Sequence, residues 1–264
     1  AAFALLDRPP VSLLDRVDLP ADQLRGQITA TGALQVPLRK GAKFDLSSLR
    51  VDAELSQLVY DEVAPGRDFA ASDLRLRIAD GEVSLSGAGA LENVPIDVAL
   101  ARAMSAPAVA GTAIAGRAEL SATGLAALGV RLPDGAMTGA AQAAYRLRLL
   151  PDAPPELELT SDLVGIGLSI PELNWRKGTE QSADLSVSVR VGAEPFVEDF
   201  SLVAPGLDAR GSLTLRPGGG GLDEVTLDRL RVGRWLDATA VLTGRGEGVA
   251  PAVSLTGGRL DLRN

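Results

Sequence analysis

Apolar and polar residues alternate along most of the chain. Leu74, Leu76 and Ile78 are separated by Arg75 and Arg77. The same alternation recurs in residues 145–149, 157–159, 185–191, 213–216, 253–255 and 260–262. A period of two places successive side chains on opposite faces of a strand. We therefore predict an all-β fold whose strands have one apolar and one polar face.

Turn signals separate these runs about every 8–12 residues, as in consecutive hairpins. Asp80-Gly81 predicts a tight hairpin turn, and Asp134-Gly135, Pro205-Gly206 and residues 217–221 predict further turns. Residues 87–89 (Gly-Ala-Gly) lack the third glycine of a dinucleotide-binding loop, so we also interpret them as a turn. Strands joined in this way form an antiparallel meander.

Glycines precede several strands and should curve the sheet. Gly32, Gly89, Gly116 and Gly211 each stand just before the alternation resumes, where glycine permits bulges and bends. Helical spacing is confined to short pieces near residues 5–17 and 125–128. We predict a long, curved antiparallel meander that forms a half-open β-groove with one or two short helices.

A change of composition near residues 150–155, which are rich in proline, suggests two parts of one continuous segment. Residues 1–150 would form the N-terminal part of the groove, and residues 151–264 would continue it. The sequence begins at Ala1 without a methionine, so we expect a piece of a longer polypeptide.

Composition narrows the function more by what is missing than by what is present. The chain has no histidine and no cysteine, which removes serine triads, thiol catalysis and the commonest zinc ligands. The formal net charge of −8 argues against nucleic acid, which is bound mainly through Lys and Arg. Apolar residues make up 46% of the chain and aromatic residues only 3%, so its apolar faces are smooth.

Carboxylates remain as candidate catalytic groups. The adjacent pairs are Asp61-Glu62, Glu198-Asp199 and Asp223-Glu224. Neighbours on a strand point to opposite faces, so we interpret these pairs as solvated loop charges. Trp175 and Trp235 are interpreted as core or edge residues rather than sugar-stacking platforms. We expect no enzyme activity, no metal and no cofactor.

The apolar face itself is the remaining candidate site, because it must be buried against something. The sheet could close on itself as a sandwich, or bend into a trough whose open floor holds lipid chains. For the trough, Arg75, Arg77, Ser186, Ser188 and Thr214 should face water. The predicted groove lining is Leu74, Leu76, Ile78, Val83, Leu85, Leu157, Leu159, Leu185, Val187, Val189, Leu213 and Leu215.

The second half of the chain resembles the AsmA-like envelope proteins, particularly the YhdP branch and more distantly TamB. Glycine-bent strands, a proline and a strand with Trp175 and Lys177 have the cadence of that family. The resemblance rests on residues 162–168, 171–177, 205–213, 227–233 and 258–262, and more loosely on residues 132–135 and 139. It covers about half the chain and carries no catalytic motif.

The resemblance implies a periplasmic part of a protein that is anchored in the inner membrane of a Gram-negative cell. The anchor would lie outside this segment. Phospholipid acyl chains would be the cargo, and outer-membrane components would be possible partners. Two alternatives remain open: a structural or interaction β-domain of the envelope with a closed core, and a carboxylate-dependent hydrolase.

Overall fold

The computed structural model describes residues 23–33, 48–64, 66–105, 111–151, 153–192, 196–216, 222–246 and 251–261. Within these residues the protein is built almost entirely of strands. They are β1 Leu24–Ala33, β2 Arg50–Ala64, β3 Arg67–Ala79, β4 Glu82–Leu91, β5 Val94–Ala103, β6 Thr112–Ser121, β7 Met137–Leu149, β8 Glu156–Ser161, β9 Ile166–Ile170, β10 Trp175–Lys177, β11 Asp184–Arg190, β12 Phe196–Ala204, β13 Leu207–Leu215, β14 Leu222–Val232, β15 Leu236–Thr243 and β16 Ala252–Leu260. The all-β prediction is confirmed.

Apart from β9 and β10, the strands are hydrogen-bonded in an order that follows the chain. Two compact units are present, one of residues 1–116 and 148–153, the other of residues 117–147 and 154–264. The order is β1 to β6 through the first unit and, from β6, β7-β8-β11-β12-β13-β14-β15-β16 through the second. Among the described residues β1 pairs only with β2 and β16 only with β15, so the sheet is an open antiparallel meander, as predicted. The boundary predicted near residues 150–155 stays a prediction.

Most of the predicted turns and one of the two helices are confirmed. Asp80 and Gly81 have φ values of 54° and 79°, and such positive values at both positions are those of a tight hairpin turn. Residues 134–135 and 205–206 also form turns. A short helix, α1, spans Ala122–Ala127, and the Ser121 hydroxyl caps it by accepting a hydrogen bond from Gly124 N at 3.1 Å. The helix predicted in residues 5–17 and the turn in residues 217–221 lie outside the described residues.

The turn predicted at residues 87–89 is wrong, because these residues lie inside β4. A Cβ atom on Gly89 would stand 2.5 Å from Cε2 of Phe69, on the neighbouring strand β3. Glycine is therefore needed there for the close approach of an aromatic ring, not for a change of chain direction. The β3–β4 ladder also shifts register next to this point, between Ala70 and Asp73.

The first unit has a filled apolar face and a charged outer face. Its buried cluster is Leu49, Ala53, Leu55, Leu58, Phe69, Ala71, Leu74, Leu76, Ile78 and Val83. On the outer face, exposed ion pairs join β2 to β3: Arg77 lies 3.9 Å from Asp52, and Arg75 lies 4.0 Å from Glu54. The alternation in the sequence therefore separates a packed face from a face of cross-strand ion pairs.

Bulges bend the second unit. All five ladders from β11–β12 to β15–β16 carry a register shift. A bulge places two residues of one strand opposite one of its partner, which bends the strand and increases its twist. Gly211 stands at one shift, where a Cβ atom would lie 1.8 Å from the carbonyl oxygen of Thr226. The curvature predicted from glycines therefore has an identifiable cause.

Candidate functional site

Two apolar rows cross the second unit at right angles to its strands, one residue per strand. Row A is Leu157, Val189, Val197, Leu213, Val225, Leu242 and Val253. Row B is Leu159, Val187, Phe200, Gly211, Leu227, Ala240 and Leu255. Because neighbouring strands lie about 4.8 Å apart, a row across seven strands is about 29 Å long.

Two further rows run beside them on the same face. Row C is Leu185, Leu202, Ala209, Leu230, Ala238 and Gly258, and row D is Ala204, Leu207, Val232, Leu236 and Leu260. Neither row contains a charged residue. The register therefore assembles one continuous apolar surface from side chains that are far apart in sequence.

Burial varies along these rows. Val225, Leu227 and Ala240 on β14 and β15 are buried, with 8%, 8% and 1% exposed. On β8 and β11 the row residues are only half-buried. We call Leu157, Val187 and Val189 the half-buried strip. Among the described residues there are three buried clusters, and these three side chains neither belong to one nor pack against one. This strip is one uncovered end of rows A and B, and Val253 and Leu255 on β16, at 61% and 53% exposed, form the other.

The predicted lining residues of the second unit are brought together. Leu157, Val189 and Leu213 lie in row A, Leu159 and Val187 lie in row B. Leu185 is in row C, and Leu215 pairs with Leu222 beside row A, on the side away from row B. All seven predicted residues are half-buried: Leu157, Leu159, Leu185, Val187, Val189, Leu213 and Leu215.

In the first unit the predicted lining residues are also cross-strand neighbours, but they are more deeply packed. Ile78 pairs with Val83 and Leu76 with Leu85. Leu74, Leu76, Ile78 and Val83 are between 1% and 8% exposed, and Leu85 packs against their cluster. The predicted lining residues of the first unit therefore belong to a filled region rather than to a free apolar surface.

Of the residues predicted to face water, Arg75, Arg77 and Ser186 are exposed, whereas Ser188 and Thr214 are half-buried.

Bulges hid several row residues from the sequence pattern. Val197 and Phe200 occupy rows A and B although two residues separate them, and the same holds for Leu227 and Leu230 in rows B and C. A strict period of two places such pairs on opposite faces. The signal that could have revealed them is a pair of charged residues interrupting an apolar alternation, as in Asp228-Arg229.

The candidate carboxylate pairs lie in strands, so their predicted placement in loops is wrong, whereas solvent exposure is confirmed for Glu198-Asp199 and Asp223-Glu224. Glu198-Asp199 is in β12 and Asp223-Glu224 is in β14, and all four side chains are exposed. Glu198 accepts a hydrogen bond from Arg190, and Asp223 lies 3.7 Å from Arg216. Asp61 is in β2, where it pairs with Arg25. Among the described residues no group of three or more acidic side chains is placed to hold a metal ion.

Trp175 and Lys177 of β10 are both buried, at 6% and 2% exposed. The Trp175 indole N–H donates to the carbonyl of Pro205 at 2.8 Å, which confirms the interpretation of Trp175 as a core residue. Lys177 Nζ donates to the carbonyls of Leu163 and Ile166 at 2.7 Å each and of Gly178 at 3.2 Å. Burial lowers the pKa of Lys177, against an opposing effect of Asp162.

No protein-family model, curated protein or solved structure matches this chain. The resemblance to AsmA-like proteins therefore stays a prediction. The described residues include no helix that is long and apolar enough to span a membrane.

Proposed function

We propose that this protein carries phospholipid acyl chains along the apolar rows of its second unit, without catalysis. The observation that supports this function is the continuity of rows A and B across seven strands, with a half-buried strip at Leu157, Val187 and Val189. Rows that run perpendicular to the strands give an acyl chain a path whose wall chemistry does not change from strand to strand.

Hydrophobic transfer provides enough energy for such a cargo. Each buried methylene contributes about 0.8 kcal/mol, so complete burial of a chain of about 16 carbons would gain at most roughly 13 kcal/mol. The rows contribute only aliphatic side chains, glycine and one phenylalanine, and such a surface offers no polar group that would fix the chain in one position. Weak, uniform contact favours movement along the surface over tight binding at one point.

The cellular setting rests on the resemblance to AsmA-like proteins. It supports phospholipid as the cargo, an inner-membrane anchor outside this segment, a periplasmic location and exchange with outer-membrane components. The curved antiparallel meander agrees with this setting because it offers a long apolar face.

Native mass spectrometry of the purified protein, followed by organic extraction, tests the proposal. We expect stoichiometric phospholipid on the unmodified protein and its loss in Val187→Asp, because a carboxylate in row B is costly beside an acyl chain. Ser186→Asp is the matched control: it adds the same charge to the same strand at an exposed position, and it should retain the lipid. Circular dichroism should show that both variants keep their strands.

A closed structural or interaction domain is the second candidate, and the burial of Ile78 and Ala240 at 1% exposed favours it. A ligand-free mass from a stable, folded protein would support this alternative and overturn the carrier function.

A further inference from the structure

A hairpin is inserted between two strands that are already neighbours. β8 and β11 pair directly, from Leu185 with Ser161 to Arg190 with Glu156. The residues between them, 162–183, contain β9, a 3-10 turn at Pro171–Leu173 and β10. We call residues 162–183 the inserted hairpin. A direct β8–β11 connection would need only a short loop, so the insert is not required to form the ladder.

The inserted hairpin packs its own apolar side chains against the row surface. Trp175 is a member of the buried cluster that contains row C and row D residues such as Leu207 and Leu230. Leu168, Ile170 and Leu173 pack against the same cluster. The insert therefore occupies apolar surface that would otherwise extend the half-buried strip sideways.

One side of the inserted hairpin is firmly attached. β9 pairs with β7 through Gly139, Thr138 and Met137, and Ser169 N donates to the carbonyl of Ala136 at 3.0 Å. The three carbonyls bound by Lys177 all belong to the insert itself. Lys177 thus keeps the insert in shape, and β7 attaches it to the sheet.

On the β10 side, Trp175 is the buried side chain that attaches the insert to the sheet, with Leu173 packing beside it against the same cluster. In the described part of the chain β10 has β9 as its one strand partner. Its polar link to the sheet is the bond from Trp175 to Pro205, and the indole ring lies 3.7 Å from the position of a Cβ on Gly206. The contact of Trp175 is with the β12–β13 turn, next to Leu207, which is the first residue of β13 and a member of row D. An acyl chain could replace the apolar contacts of an indole ring, whereas it could not replace the β7–β9 hydrogen bonds.

We propose that the inserted hairpin is a hinged cover over rows C and D, with β7 as its fixed side and Trp175 as its release point. This inference deepens the proposed function, and the biological use of the cover rests on that function. When the cover is closed, the ligand is restricted to the half-buried strip. When the cover is open, rows C and D add to the apolar surface that the ligand can contact. Trp175 is then the residue that decides how bulky an apolar ligand can be admitted.

Cysteine labelling tests the cover, and the natural absence of cysteine makes each introduced thiol unique. Leu207→Cys, at a position 3% exposed, reports on the surface beneath the cover, and Ile78→Cys, at 1% exposed in the first unit, reports on general unfolding. The probe is a small maleimide. In combination with Trp175→Ala we expect at least about a tenfold faster reaction of the thiol at 207, with the thiol at 78 unchanged.

Two further variants separate the effect of the Trp175 hydrogen bond from that of its ring, and the effect of Trp175 from that of another tryptophan. Trp175→Phe retains a ring but loses the bond to Pro205, so it should accelerate labelling less than Trp175→Ala does. Trp235→Ala removes the other tryptophan, which packs against the same cluster but lies outside the inserted hairpin, and it should leave labelling at 207 slow.

The outcomes decide the cover independently of lipid transport. Unchanged labelling at 207 in the Trp175→Ala background would overturn it, and so would equal acceleration at positions 207 and 78, because the insert would then be part of a cooperative core. Accelerated labelling at 207 alone, in a protein that retains no phospholipid, would support the hinged cover while overturning the carrier function.

Discussion

A single glycine in row B shows how closely two strands of a bulged ladder approach each other. A Cβ on Gly211 would lie 1.8 Å from the Thr226 carbonyl oxygen, so β13 and β14 must separate if the residue is enlarged. We expect Gly211→Ala to lower the free energy of unfolding by about 2–3 kcal/mol, the usual cost of overpacking. Urea titration followed by circular dichroism measures this loss.

Gly192→Ala is the control for that substitution. No atom lies within 4 Å of the position of its Cβ, and the free energy of unfolding should change by less than about 0.5 kcal/mol. Equal effects of the two substitutions would contradict the claim that the ladder at Gly211 is sterically closed.

Lys177 is a buried cation whose partners are carbonyl dipoles. Lys177→Met keeps most of the side-chain volume but leaves the carbonyls of Leu163 and Ile166 without their donor. Unsatisfied buried acceptors cost about 1–3 kcal/mol each, offset in part by the removal of a buried charge, so we expect a net loss of about 2 kcal/mol. Urea denaturation of the natural protein and of Lys177→Met at neutral pH measures this difference in the free energy of unfolding.

The pH dependence of that loss follows from the lowered pKa of Lys177. Between the lowered pKa and the ordinary value of 10.5, the unfolded chain binds more protons at this residue than the folded chain does. The unfolding free energy of the natural protein should therefore rise with pH in this window relative to Lys177→Met. A difference between the two proteins that stays constant up to pH 10.5 would show that burial does not perturb this amine.

At the scale of elements, β16 differs from its neighbour β15 in the solvent exposure of its side chains. All nine of its residues are exposed, including Val253, Leu255 and Leu260 at 61%, 53% and 49%. It carries a single charged residue, Arg259, contains no proline and has one bulge in its ladder with β15, so it keeps only part of the usual protection of an edge strand. Row surface that is buried on β15 thus reaches water on β16.

We expect the purified protein to aggregate through this edge. Leu255→Lys should raise its solubility limit several-fold, since an edge lysine opposes strand addition, and should change the unfolding free energy by less than about 0.5 kcal/mol. Light scattering against protein concentration measures the effect. Val164→Lys, at another exposed apolar residue outside β16, is the comparison, and an equal gain in solubility there would point to general charge rather than to the edge.

How far the sequence predicts these elements depends on where alternation is interrupted. Stretches with unbroken alternation, such as residues 74–78 of β3 and residues 185–189 of β11, place Leu74 and Val187 on the face that their spacing predicts. Where a bulge adds residues, as between Leu227 and Leu230, the period fails although the ladder continues. The inserted hairpin is equally hidden, because its short strands pair with β7 and with each other, whereas the flanking strands β8 and β11 pair past them.

The whole molecule contains two compact units, each with its own buried clusters. Leu74 and Ile78 belong to the cluster of the first unit, and Leu207 and Leu227 belong to a cluster of the second. Sequence alternation predicts an apolar face for both units but not which part of it is filled, because filling depends on bulges and inserts brought in from elsewhere in the chain. A filled first unit and a partly uncovered second unit should differ in how strongly each is stabilised.

Scanning calorimetry should resolve that difference as two transitions, because units with separate cores need not unfold together. Ile78→Ala and Leu207→Ala each remove a buried side chain, at a cost of about 3 kcal/mol. If the units unfold separately, Ile78→Ala lowers the midpoint of one transition and Leu207→Ala lowers the midpoint of the other. Binding of an acyl chain to the half-buried strip would stabilise only the transition that Leu207→Ala lowers. A single transition shifted equally by both variants would instead show that the meander unfolds as one cooperative body, and local opening of a cover would then need to occur without unfolding of its unit.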